Sequence, residues 1–132
     1  MQEINGLVFH HSASPLDTTV ADVRKWHVTE NGWKDIGYHG IVTSDGVYHA
    51  CRPIPTVGAH CKGSNFDTIG ICAIGNNTKS DHSWTDLQIE ALHYLKRIIR
   101  TLWPDAWVLG HRDVAGTGTE CPGLGIRELL GD

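Results

Sequence analysis

The sequence lacks an excess of positive charge: 11 Lys and Arg stand against 15 Asp and Glu, for a formal net charge of -4. No Lys/Arg stripe is available to neutralise a phosphate backbone, so no nucleic-acid partner is expected. Long apolar runs are also missing. Nothing approaches the roughly 18 consecutive apolar residues that span a bilayer, so no membrane insertion is expected. The opening Met1-Gln2-Glu3-Ile4-Asn5-Gly6 has neither the basic start nor the apolar stretch of a secretory leader. The chain is therefore expected to be made in a cytoplasm. Cysteine is limited to 4 residues, which in a reducing compartment are expected to be free thiols or metal ligands rather than a disulfide framework. No repeat, low-complexity segment or composition break divides the 132 residues. The expectation is one domain over 1–132, monomeric, with a core large enough to need no staples.

What is present in quantity is histidine, with 9 residues. His is the commonest metal ligand and the near-neutral acid/base, so the enrichment raises the prospect of a site without placing it. The apolar pattern supplies the frame. Leu7-Val8-Phe9-His10 reads as a strand covered on both faces. Thr19-Val20-Ala21-Asp22 has the form of a capping box and opens a helix that stops at Asn31-Gly32. Asp45-Gly46 between Tyr38–Thr43 and Val47–Ala50 predicts a hairpin. Cys51 to Asp67 reads as a long loop, of a length that is usually functional in a compact domain. Thr68–Gly75 reads as another buried strand, and Thr85-x-x-Gln88 caps the longest helix. On that helix Leu87, Ala91, Leu92, Leu95, Ile98, Ile99 and Leu102 form the predicted core stripe. Trp107–Gly110 is a last strand and Ile126–Leu130 a short closing helix. Strands interleaved with helices predict an α/β domain, a central mixed sheet flanked by helices.

Three of the potential metal ligands sit at strand ends or in a loop leaving one: His10, His111 and Cys121. Three His/Cys ligands with a fourth position left to water is the pattern of catalytic zinc, whereas structural zinc closes all four. Adjacent strand residues point to opposite faces, so only one of His10 and His11 can be a ligand. Residue types alone leave open a hydrogen-bonded core histidine at position 10 and a buried thiol at 121.

Six blocks then occur in a fixed order: Phe9-His10-His11-Ser12-Ala13-Ser14; Trp26-His27; Gly32-Trp33-Lys34-Asp35-Ile36-Gly37-Tyr38-His39; Val57-Gly58-Ala59-His60-Cys61-Lys62-Gly63-Ser64-Asn65; Ile69-Gly70-Ile71; and Gly110-His111-Arg112-Asp113 through Cys121-Pro122-Gly123. In this order and register the sequence resembles the type 2 zinc-dependent N-acetylmuramoyl-L-alanine amidases, which include phage lysozyme-type endolysins and the peptidoglycan recognition proteins. The resemblance implies zinc held by His10, His111 and Cys121, selecting His10 over His11. It implies a catalytic Tyr38, and substrate-cleft positions at His60 and Asn65. Thr119, two residues before the cysteine, stands where phage-type members often carry Lys and catalytic recognition proteins carry Thr. Glu120 has two readings, a carboxylate supporting the site or a solvated surface group. Lys62 or Arg52, in or beside the long loop, is a candidate partner for a peptide carboxylate.

The implied reaction is hydrolysis of the amide between N-acetylmuramic acid and L-alanine in peptidoglycan. Tyr38 would stabilise the oxyanion, and Thr119 would add a hydrogen bond in place of a lysine's charge. A phage-type endolysin causing lysis is the expected role, acting on peptidoglycan after membrane permeabilisation, with no separate cell-wall-binding domain. The alternatives are a cytosolic amidase that recycles muropeptides and a non-enzymatic peptidoglycan recognition module. The second is disfavoured because Cys121 is present, and non-enzymatic members have typically lost that ligand.

Overall fold

The computed structural model describes residues 3–54 and 56–131. The opening Met1-Gln2, and Pro55 of the long loop, lie outside them. The chain runs β1 (Gly6–His11), α1 (Val20–Arg24), a π-helix (Lys25–Glu30), β2 (Gly40–Val42), β3 (Tyr48–Ala50), β4 (Thr68–Ala73), α2 (Asp86–Leu102), β5 (Trp107–Gly110) and α3 (Ile126–Leu130), with 3-10 turns at Ser80–His82 and His111–Asp113. The five strands form one mixed sheet in the order β3-β2-β4-β1-β5. β1 is parallel to both β4 and β5, β2 is parallel to β4, and only the β2–β3 hairpin is antiparallel.

The continuous apolar runs of β1 and β4 have the composition that a sheet covered on both faces requires, and every residue of both strands is buried. Leu7, Phe9, Ile69, Ile71, Ala73 and Val108 face α2 and α3 through Leu92, Ile99, Ile126 and Leu130. On the opposite face Ile41, Cys72 and Ile74 meet Val23 and Ile36, while Val8 meets Cys61 and Val114. This second face also carries His10, Thr68 and Gly70, by the alternation of the pleat. All four cysteines are free thiols. Among the described residues no helix is long and apolar enough to cross a membrane.

Two elements differ from the sequence reading. The first predicted helix is capped as expected, with Thr19 and Asp22 exchanging bonds, but after Arg24 it widens into a π-helix. Within it the Nδ1 of His27 accepts from the Gly37 N–H at 2.9 Å. The stripe predicted on α2 is wider than its contact with the sheet. Gln88, not Leu87, is the fully buried residue of the first turn. Its amide donates to the carbonyls of Val42 (3.1 Å) and Ile74 (2.7 Å) and its oxygen accepts from the Thr85 N–H. That rotation leaves Leu87, Ile98 and Leu102 exposed on the helix flank.

Gln88→Leu removes the partner of the Ile74 carbonyl together with half of the capping box. The unfolding free energy is expected to fall by about 2 kcal/mol, read from the urea midpoint. A second prediction concerns pH. The Nδ1 of the buried His39 accepts from the Gly70 N–H (3.0 Å) and its Nε2 donates to the Thr56 carbonyl (2.8 Å). Burial holds its pKa below the ordinary value. Because the folded value lies below the unfolded one of about 6.5, the unfolded chain binds the extra proton first. Stability is fully present above that value and is lost as pH falls below it. The urea midpoint should drop between pH 7.5 and 5, and drop less in His39→Asn, which has no ring to titrate at that position.

Candidate metal centre and cleft

β1 and β5 lie side by side and parallel, so the residues at their carboxyl ends meet although they are about a hundred positions apart in the chain. His10 is the penultimate residue of β1, and His111 opens the turn directly after β5. Cys121 reaches the same point from the following loop. One donor atom from each of the three lies within 4.8 Å of the other two, with the Cys121 Sγ 3.8 Å from the Nδ1 of His10. The loop is tied down at several places. The Arg112 N–H donates to the Cys121 carbonyl (2.6 Å), and the Asn77 side chain donates to the Pro122 carbonyl (2.8 Å). The Cys121 N–H donates to the Thr119 hydroxyl oxygen (3.2 Å), and the His11 N–H points at the Cys121 sulfur (3.3 Å).

The electrostatics favour neutral rings and, without a cation, a neutral thiol. Burial first, then the neighbouring His60, His111 and His11, hold the pKa of His10 well below the ordinary value. Burial, with His39 next, pushes His60 down to about 3, and burial lowers His111. Burial pushes the Cys121 thiol up to about 11, opposed by the His11 N–H. Neutral imidazole is the form that ligates a metal, and a cation reverses the local cost of a thiolate. Two imidazoles and one thiol form a donor set of borderline softness, suited to zinc. The residues present therefore fit a tetrahedral metal with one protein ligand too few to close it.

The three donors line an open cleft of about 690 Å³, together with Tyr38, His60, Thr119, His11, His27, Trp33 and Glu120. The Tyr38 ring lies 5.1 Å from that of His10. Burial, reinforced by Cys72 and Cys121, pushes its pKa well above the ordinary value. Tyr38 is thus a neutral O–H donor. The Thr119 hydroxyl accepts from the Cys121 N–H, which leaves its own proton free to be donated. His60 sits behind His10, with its Nδ1 3.0 Å from the Nε2 of that ring.

Other expected positions lie elsewhere. The Asn65 side chain turns back into its own loop, accepting from the N–H groups of His60 and Cys61 at 2.9 Å each. Lys62 is exposed and is not among the residues lining the cleft. The Arg52 guanidinium donates to the carbonyls of Ile36, Val57 and Asp35, which commits it to holding the loop. His11 lines the cleft as well, but its Nδ1 accepts from the Asn77 N–H at 3.2 Å, turning that nitrogen away from the donor cluster. Sequence reasoning assigned no role to His27 and Trp33, whose rings are 4.7 Å apart and continue to Tyr38 as an aromatic wall. The only signal for them was their place in the matching blocks.

A family model described as N-acetylmuramoyl-L-alanine amidase matches residues 1–124. The chain is 34% identical to the endolysin of Enterobacteria phage K11 over 134 aligned residues, covering 98% of this chain and 87% of the relative. Its fold is similar to that of the Ph2119 endolysin from a Thermus scotoductus bacteriophage, with TM-score 0.84 and 28% identity over 100% of this chain and 88% of the other. It is also similar to a mutant of the Drosophila recognition protein PGRP-LB in complex with tracheal cytotoxin: TM-score 0.79, 26% identity, 92% and 76% coverage. With a donor cluster open to a cleft and a match over nearly its whole length, the chain belongs to the N-acetylmuramoyl-L-alanine amidase family.

Proposed function

We propose that this chain is a zinc-dependent hydrolase of the amide between N-acetylmuramic acid and L-alanine, working as an endolysin. The observation that carries the reading is the convergence of His10, His111 and Cys121 beside two hydroxyl donors in an open cleft. Zinc held by these three residues would polarise the scissile carbonyl and lower the pKa of a bound water towards about 7. The residues of the chain do the rest. As water adds to the carbonyl carbon, its oxygen gains negative charge. A neutral Tyr38 hydroxyl beside His10 is placed to donate to it. Thr119 contributes a second donor while holding the Cys121 N–H. The C–N bond then breaks and the stem peptide leaves as an amine, taking up the proton that the attacking water gives up.

The PGRP-LB complex with tracheal cytotoxin supports a peptidoglycan fragment as the substrate class. The aromatic wall of Trp33, His27 and Tyr38 offers such a substrate an apolar side. Lytic action is favoured over muropeptide recycling by the endolysins among the relatives. Incubation of the zinc-loaded protein with intact sacculi and with soluble muropeptides tests this. Free stem peptide released from sacculi is expected. Cleavage of soluble fragments alone would assign recycling instead, and no cleavage of either would overturn the enzyme.

His10→Ala is expected to lose both stoichiometric zinc, measured by metal analysis after dialysis, and amidase turnover. Tyr38→Phe should keep its zinc and lose roughly 10²–10³-fold in kcat, the usual effect of deleting one oxyanion donor. Wild-type turnover in that variant would remove Tyr38 from the mechanism.

A further inference from the structure

On the cleft side, β4 presents Thr68, Gly70 and Cys72, while Ile69, Ile71 and Ala73 pack towards α2. The small residue in the middle has a specific consequence. A Cβ at position 70 would collide with the Cγ of His60, so the ring of His60 rests where a side chain would otherwise stand. From there His60 touches His10 on one side and Thr68 on the other. Its Nδ1 is 3.0 Å from the Nε2 of His10. Its Nε2 is 3.2 Å from the Thr68 hydroxyl and 3.4 Å from the Thr68 carbonyl. The Thr68 hydroxyl is in turn 2.5 Å from the Ser64 carbonyl. His10, His60 and Thr68 are all buried.

The direction of every proton in this chain follows from its far end. A carbonyl oxygen only accepts, so the Thr68 hydroxyl donates to Ser64 and keeps its lone pairs for His60. Both groups beside the Nε2 of His60 are then acceptors, so this nitrogen carries the ring proton. The Nδ1 of His60, left bare, accepts from His10, which must therefore carry its proton on Nε2. The Nδ1 of His10 is thus the unprotonated nitrogen, and it is the one facing Cys121. Both nitrogens of His60 are committed.

We propose that Thr68, acting through His60, is a positioning residue that sets the tautomer and ring orientation of His10 and so prepares its Nδ1 for the metal. This rests on the zinc reading above, and it assigns His60 a supporting role rather than a proton-carrying one. Partners that orient a ligating imidazole typically contribute 10–100-fold in metal affinity.

The test compares Thr68→Val, whose side chain keeps the shape but neither donates nor accepts and leaves only the more distant main-chain carbonyl beside the Nε2 of His60, with Thr68→Ser, which restores the hydroxyl. The zinc dissociation constant is measured by competition with a chromogenic chelator. Thr68→Val should bind about 10–100-fold more weakly, His60→Phe should do the same, and Thr68→Ser should stay close to wild type. The double variant should be no worse than either single one, because both cut the same chain. In zinc-free wild-type protein, long-range ¹⁵N–¹H correlations should place the His10 proton on Nε2. Unchanged zinc affinity in folded Thr68→Val would overturn the proposal. So would a His10 proton on Nδ1, a result that stands even if the variants fail to fold. A wild-type protein that binds no zinc while showing the Nε2 proton would sink the zinc reading and leave the tautomer relay intact.

Discussion

The parallel pairing of β1 with β5 is the contact on which the site depends. It sets the carboxyl end of a strand near the start of the chain beside that of a strand near its end, and so brings His10 to His111. β4 pairs with the other edge of β1 and β2 lies beyond it, so Tyr38, just before β2, approaches His10 from the opposite side. Sites in open α/β sheets gather outside the carboxyl ends of strands because loops leaving neighbouring strands diverge there and leave a crevice. Here β1 is the strand from which the chain departs in both lateral directions, and the cleft opens at its end.

Around that contact the protein accepts an electrostatic cost. His10, His60 and His111 crowd the region as neutral imidazoles, and the half-buried Cys121 thiol is held against ionisation. Each would be better solvated outside. The arrangement is what a cation needs: bare ring nitrogens, a sulfur with a backbone N–H already aimed at it, and a loop fastened by Asn77, Arg112 and Thr119 so that the sulfur does not have to be ordered on binding. The polar groups behind the donors are satisfied as well. Among the described residues no buried side-chain nitrogen or oxygen lacks a hydrogen-bond partner, as a low-dielectric site demands.

Much of this was legible in the residues. The capping boxes at Thr19 and Thr85, the Asp45-Gly46 turn and the doubly apolar strands are local signals, and they appear where expected. The π-helix was not legible, because nothing in the local pattern marks a switch to i+5 bonding, and the bond that ties its His27 ring comes from Gly37, outside the helix. The α2 stripe was misjudged for a related reason. An apolar count around a helix shows which side can be buried. It does not reveal that a glutamine bridging two strand-end carbonyls outcompetes a leucine for the innermost place.

The same division holds within the site. The sequence by itself determined the inventory, His10, His111, Cys121, Tyr38 and Thr119 in recognisable blocks, and the alternation that lets only one of two adjacent histidines join the donor cluster. Tertiary structure alone decided what each donor rests against. Thr68, Gly70 and Cys72 read along the chain as an ordinary buried strand. Only when His60 folds over Gly70 does the column become a support for the His10 and Tyr38 rings. Hydrogen-bond direction depends on which acceptor closes the chain, and that acceptor, the Ser64 carbonyl, is supplied by a loop whose backbone conformation side-chain pattern does not specify.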